Sequence, residues 1–191
     1  MIKIKLEQLN QKRFINFNPN IMNLLSDSVW ICGGSMRSIY NGSDIKDYDL
    51  FFKNSESAAS TERKLEELGY IKIFVCPLGE LTTFAKEDCK KVQVIKKLFY
   101  TSIEDCISTF DFNAACAGID CNYFYFKKEF IKDNRKKIIS INKLTFPSAT
   151  ISRLIKCKAH GFYVSSAIQD VTQKIFDRDP NIIDLGALYV D

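Results

Sequence analysis

The chain reads as an α/β (α+β) protein, a mixed sheet with flanking helices followed by a small helical annex. Three observations predict this. Short apolar runs bounded by turn residues recur as far as about residue 126, interleaved with helical stretches. Beyond Pro147 the apolar residues switch to helical spacing, with Ile151, Leu154, Ile155, Ala159 and Phe162, then Ile168, Val171 and Ile175. Finally, 191 residues at 46% hydrophobic content suffice for one good core, or one core with a small annex.

The elements follow in order. Residues 1–20 form a short strand, with Ile2, Ile4 and Leu6 alternating with lysines, and a polar lead-in where Asn18, Pro19 and Asn20 make a turn or helix start. Val29-Trp30-Ile31-Cys32 is a buried strand running into the tight turn Gly33-Gly34. Met36 to Tyr40 opens a helix that Asn41-Gly42 closes. Asp47 to Lys53 (DYDLFFK) is a strand, and Ser55 to Gly69 a helix with Ser57 or Ser60 in position to cap it. Three strands follow at Ile71–Cys76, Glu80–Lys86 and Lys91–Lys96, the first two joined by the turn Pro77-Leu78-Gly79. Ser102 to Phe110 is a short helix that starts like a capping box, with Asp105 in the Glu position. Asn113–Ile119 and Asn122–Phe126 read as a last pair of strands. Lys127 to Lys143 is basic, and two amphipathic helices with core-facing apolar stripes end the chain. The expected division is a head at residues 1–126 and a basic connector with helical annex at 127–191.

Composition excludes several kinds of chemistry. There is one histidine, His160, placed at a helix end, so schemes that need a histidine base have little support. The seven cysteines are odd in number and contain no CxxC pair, which points to buried reduced thiols rather than a zinc site or disulfide framework. The start of the chain lacks the apolar run of a signal peptide, and no stretch approaches the ~18 apolar residues of a membrane span. A soluble, cytoplasmic protein without a membrane partner is expected; nothing in the residues speaks to oligomeric state. The net charge of +4 permits a polyanionic partner without requiring one.

Carboxylates, backbone and metal must therefore carry any chemistry. In a strand, Asp47 and Asp49 share one face, while Tyr48, Leu50 and Phe52 take the other and suit the core. Two carboxylates held that close repel unless a cation lies between them, and magnesium with oxygen ligands is the natural partner. Gly33 and Gly34 precede a helix, so their backbone can approach a phosphate while the helix start donates N–H groups to it. Arg37, one turn in, is placed to pair with phosphates. Together these residues describe a phosphate cradle facing a metal pair.

The segment from Gly33 to Gly42 (GGSMRSIYNG), followed by Asp47-Tyr48-Asp49, resembles the head domain of bacterial tRNA nucleotidyltransferases and poly(A) polymerases, of the DNA polymerase β superfamily. The family pattern is GGxVRD, a spacer ending in Gly, then DxD. Ser102 to Ala117 (SIEDCISTFDFNAACA) is similar to the family's SLEEDLxRRDFTINAxA, and Thr150 to Phe162 (TISRLIKCKAHGF) to EDPLRxLRAxRFAxxxGF. The three matches stand in family order across residues 29–165. The chain departs from the family at Ser38, where the family has Asp, at Thr109-Phe110 for Arg-Arg, at Ala149-Thr150 for Glu-Asp, and at Gln93, where the family often has Glu. It also ends near the start of the family's helical neck, so a compact phage-type relative fits better than a CCA-adding enzyme.

The resemblance implies a nucleotidyltransferase fold and metal-dependent transfer of a nucleotide from an NTP, ATP or CTP, to an acceptor hydroxyl on an RNA 3′ end, a protein or a small molecule. It implies two magnesium ions, or manganese, held by Asp47 and Asp49 with Asp111 as third carboxylate, Gln93 being the other slot for that ligand. Gly33, Gly34 and Ser35 would bind the β- and γ-phosphates, Arg37 would neutralise charge nearby, and Arg153 and Lys156 would approach base or triphosphate from the annex. Without the family's base-reading acid, weak discrimination between CTP and ATP is expected. Two alternatives are a non-catalytic nucleotide- or RNA-binding relative, motivated by Gln93, Ala149 and Thr150, and a partner-binding protein using the basic stretch 127–143.

Overall fold

The computed structural model of the chain describes residues 1–9, 17–144 and 147–176. Its strands are β1 (Ile2–Lys5), β2 (Val29–Cys32), β3 (Asp47–Phe52), β4 (Ile71–Val75), β5 (Leu81–Ala85), β6 (Lys91–Ile95), β7 (Ala117–Ile119) and β8 (Tyr123–Phe126). They form one eight-stranded sheet in the order β1-β8-β7-β2-β3-β6-β5-β4. β3 and β6 run parallel; the other described pairings are antiparallel. The α/β expectation holds, with a mixed sheet and flanking helices.

Alternation along the strands sorts side chains between two cores. On one face Val29, Ile31, Tyr48, Leu50, Phe52, Phe84, Val92 and Val94 are buried together. Three helices supply the opposing side chains: α2 (Gly34–Asn41) with Met36 and Ile39, α3 (Ser55–Glu67) with Ala58 and Leu65, and α5 (Lys128–Lys136) with Phe130. A shorter helix, α1 (Pro19–Met22), adds Ile21. On the other face Trp30, Cys32 and Phe51 pack with Ile103, Cys106 and Ile107 of α4 (Ile103–Ser108). A third cluster joins Phe112, Ala114 and Ile139 to Leu154 and Cys157 of α6 (Pro147–Ala159), to Phe162 and Val164 after it, and to Ala167 and Val171 of α7 (Ser165–Phe176).

Several local expectations change. The cap of α3 is Asn54, whose side chain accepts from Ser57 N, so neither Ser57 nor Ser60 caps it. The amide side chain three residues before Ser57 reaches the first-turn N–H groups. Ser102 does cap α4, accepting from Asp105 N, but the Asp105 carboxylate accepts from Thr101 rather than from Ser102 N. Asn113–Ala115 is a 3-10 turn, which shortens the expected strand to Ala117–Ile119. The basic stretch contains α5, which burial of only Phe130, Asp133 and Asn134 holds in place. Asn134 donates to Ala114 O and Phe130 O and accepts from Asn41 Nδ2, tying α5 to α2 through hydrogen bonds rather than an apolar stripe. In the annex Leu154 and Val171 face the core as expected, whereas Ile151, Ile155 and Ile168 are exposed. α6 turns Ala149, Thr150, Leu154 and Cys157 inward instead. The side chain of Ile175 lies outside the described residues.

All seven cysteines are free thiols, four of them buried. Burial raises the Cys116 thiol to about 12, so it stays a small neutral apolar group. Where β7 crosses β2, Gly118 allows close approach: a Cβ there would stand 2.5 Å from Cys32 Sγ and 3.1 Å from Ile31 O. Gly118→Ala is expected to destabilise the fold by about 1–3 kcal/mol through overpacking, which urea unfolding measures directly. No helix among the described residues is long and apolar enough to cross a membrane.

Candidate functional site

Helices cover one face of the sheet, and α4 covers only part of the other. Over β3, β6 and β5 that second face stays open and floors a cleft of about 470 Å³. The register of the strands arranges its floor in rows. Asp49 stands beside Gln93, and Gln93 beside Thr83. Two residues earlier Asp47 is beside Lys91, and one residue later Leu50 beside Val94 turns to the core while Phe51 continues the open face. Asp47 and Asp49 therefore share one face, as alternation predicts, and both line the cleft with Gln93.

Gly33 and Gly34 form one wall. Gly33 has φ +83°, a left-handed value that glycine adopts without strain, and this places the chain at the head of α2. A Cβ at Gly33 would meet the Phe110 ring at 3.8 Å, so the turn lies close under that ring. Ser35 is buried in the first turn of α2, and its Oγ has no hydrogen-bond partner among the described residues. That hydroxyl is closed off from the cleft, so the groups at this helix start that can meet an anion are main-chain N–H groups. Arg37 reaches across to the annex: Nη1 donates to Cys157 Sγ at 3.3 Å, and the guanidinium lies 5.7 Å from the centre of the Phe162 ring. It lines the cleft with Arg153 and Lys156, giving that side a positive wall.

Asp111 also lines the cleft and is buried. Its carboxylate accepts from Arg153 Nη1 in an ion pair that joins the head to α6. Its main-chain carbonyl accepts from Asn142 N, so the residue is anchored at both ends. Among the described residues no three His, Cys, Asp or Glu side chains stand together closely enough to hold a metal ion. The donor set fits one divalent cation between Asp47 and Asp49, with the neutral oxygen of Gln93 alongside; a set of three carboxylates is not assembled. The sequence argument thus brings Gly33, Gly34, Arg37, Asp47, Asp49, Asp111, Arg153 and Lys156 to one cleft, with Ser35 behind it. It missed Glu80, Leu81, Ile95, Leu98 and Tyr100, which line the far end, because the pairing of β5 with β6 and the path of the chain after β6 bring them there.

Comparison with known proteins bears on the family and the fold. A family model described as "Gabija anti-defense 2 family protein" matches residues 5–137. A curated relative, "Gabija anti-defense 2" of Bacillus phage SPbetaL7, is 29% identical over 129 residues, which are 66% of this chain and 32% of the relative. Among solved structures, the Thermotoga maritima CCA-adding enzyme complexed with tRNA superposes with a TM-score of 0.65 at 14% identity, over 91% of this chain and 46% of that one. A CCA-adding enzyme in complex with CTP gives 0.68 at 14% identity, over 93% and 47%. The chain thus has the nucleotidyltransferase fold that the three motifs implied. It spans about a third of the phage relative and less than half of these enzymes.

Proposed function

The chain belongs to the Gabija anti-defense 2 family, and we propose that it acts in countering such a defence by transferring a nucleotide from an NTP to an acceptor hydroxyl. The observation that carries this reading is the shared cleft: Asp47, Asp49 and Gln93 on its floor, the Gly33-Gly34 turn at a helix start, and three cationic side chains along one side. In this reading the head, residues 1–126, supplies the floor and the cradle, and residues 127–191 supply Arg153 and Lys156.

Gly33, Gly34 and Ser35 receive the β- and γ-phosphates through main-chain N–H groups at the start of α2. Arg37, Arg153 and Lys156 neutralise the triphosphate and orient the base. Asp47 and Asp49, with Gln93, would hold magnesium, or manganese through the same oxygen donors. When bound, the metal neutralises phosphate charge and activates the acceptor oxygen. That oxygen bonds to the α-phosphorus, the bond to the bridging oxygen breaks, and pyrophosphate leaves. Asp111 takes the role of third carboxylate once the triphosphate draws Arg153 away from it, and it accepts the hydroxyl proton. The test is incubation with magnesium, α-labelled NTPs and pools of RNA and protein: label in one pool is the expected result, and none in either rejects transfer.

Base choice follows from the annex. Ala149 and Thr150, both buried, stand where the resemblance places a base-reading acid. CTP and ATP are therefore expected to bind with similar affinity, and Arg153→Ala to weaken both by roughly 1–3 kcal/mol through loss of a charged hydrogen bond. Calorimetry on the two nucleotides checks this; a strong preference lost selectively in the variant would contradict it. Gln93 beside Asp49 and the Asp111–Arg153 pair favour a second reading, nucleotide binding without turnover. Tight NTP binding with no label transferred would select it.

A further inference from the structure

We propose that Cys157 and Phe162 of the annex are positioning residues for Arg37, aiming its guanidinium at the triphosphate of the incoming NTP without neutralising it. This rests on the nucleotidyltransferase reading and deepens its phosphate site. Arg37 stands one turn into α2, on the head, and its side chain lines the cleft. The contacts that hold the side chain come from the annex instead. Nη1 donates to Cys157 Sγ at 3.3 Å, and the guanidinium carbon lies 5.7 Å from the centre of the Phe162 ring. A long side chain loses rotamer freedom when it meets a ligand, so a site that fixes it beforehand binds more tightly.

The chemistry of the two partners is the informative part. Burial raises the Cys157 thiol, so it meets Arg37 as a neutral acceptor. The Phe162 ring offers the negative face of its quadrupole and no net charge. Among the described residues Arg37 forms no ion pair with a carboxylate. Arg153 shows the contrast. It crosses the same boundary in the other direction, from annex to head, and Asp111 neutralises it. A carboxylate in place of Cys157 would also hold Arg37, but it would compete with phosphate for the guanidinium. A thiol and a ring fix its direction without that competition. Phe162 N donates to Cys157 O, so the two partners move as one unit. Phe162 is itself buried, and Lys137 Nζ lies 4.9 Å from the centre of its ring, which ties the unit to α5. Because both partners belong to the annex, Arg37 is aimed only while α6 is docked on the head.

Calorimetry on the full chain with magnesium tripolyphosphate, and with AMP for comparison, tests this. Arg37→Leu is expected to weaken tripolyphosphate by about tenfold or more, the range of a charged hydrogen bond. Phe162→Leu keeps an apolar filling but loses the negative ring face, and should weaken it about two- to fivefold. Cys157→Ala should act in the same direction, and Cys157→Ser, which keeps an acceptor, should retain most of the affinity. In the Arg37→Leu background Phe162→Leu should have no further effect, since the group it positions is gone. AMP, which lacks the β- and γ-phosphates, should bind every variant as it binds the unsubstituted chain. Where label is transferred, KM for the NTP should rise in Phe162→Leu with kcat nearly unchanged. If Phe162→Leu does not fold, Cys157→Ala and Cys157→Ser in the two backgrounds carry the same comparison. Losses that persist without Arg37, or that extend equally to AMP, overturn the positioning role, as does failure of the unsubstituted chain to bind tripolyphosphate. Label transfer with tripolyphosphate binding unaltered in Phe162→Leu and Cys157→Ala overturns it too, while leaving transfer standing. Losses fully coupled to Arg37, with no label transferred from any NTP, would instead remove the transferase reading and keep the positioning role.

Discussion

Replacing Asp47 and Asp49 together by alanine is expected to abolish magnesium-dependent NTP binding and any transfer, while the protein unfolds at the same temperature or higher. The two parts of this result have separate causes. Both carboxylates lie on the open face of β3, whereas the residues that hold the strand, Tyr48, Leu50 and Phe52, are buried on the other face. Removing the acids therefore leaves the packing untouched. At a strand spacing of about 7 Å two carboxylates repel without a cation between them, by of the order of 1 kcal/mol or less at a solvated site. A magnesium ion held there would, by contrast, lose both carboxylate donors of β3, since the neighbouring side chain in register is the neutral Gln93. Calorimetric titration of ATP with and without magnesium, alongside thermal unfolding of both proteins, measures both parts. Equal magnesium-dependent affinity in the two proteins would remove Asp47 and Asp49 from the site.

Much of the fold and half of the cleft were legible in the sequence, and the reasons differ by element. Each of the eight strands left a local signal of apolar, β-branched or aromatic residues, including the edge strand β4, which is exposed along its length. The Gly33-Gly34 turn and the Asp47-Tyr48-Asp49 alternation are also local, so these two features of the candidate site were readable as structure. Helix α5 was not. It is held by Asn134 and Asp133, buried polar residues of which Asn134 has partners, Ala114 and Asn41, distant in sequence, and four of its nine residues are basic. The exposed Ile151, Ile155 and Ile168 misled the annex reading for the opposite reason: helical spacing gives apolar residues a common side without saying which side meets the core. Glu80 escaped because nothing near it in sequence marks it. Only the pairing of Leu81 with Ile95, and of β6 with β3, carries it to the cleft that holds Asp49. Asp111 was identified as a site residue, yet its partner was not. The Arg153 contact spans 42 residues and depends on how α6 docks against the head.

That contact sets the last expected result. Asp111→Asn should lower transfer by about two to four orders of magnitude, the range of a lost general base, while NTP affinity changes little. Asparagine keeps the shape of the side chain and its acceptor oxygen toward Arg153 but can neither bind a cation strongly nor take a proton. Arg153→Ala should give the complementary pattern. It strands a carboxylate that is only 8% exposed. Because Arg153 itself is 44% exposed, the loss of stability should be about 1–2 kcal/mol, less than the 3–5 kcal/mol typical of breaking a fully buried pair. Gln93→Glu separates the two candidates for the third ligand. It puts a carboxylate beside Asp49 in the existing register, so magnesium should bind more tightly whichever residue serves in the natural protein. If Asp111 is the working ligand, Gln93→Glu should rescue transfer in the Asp111→Asn background, because either acid then completes the set. If Asp111 acts only as the anchor of Arg153, Asp111→Asn should cost stability and leave the rate nearly unchanged. Single-turnover rates and unfolding curves for the three variants and the Gln93→Glu/Asp111→Asn combination distinguish these outcomes. A rate unaffected by Asp111→Asn would leave the ion pair as a clasp between head and annex.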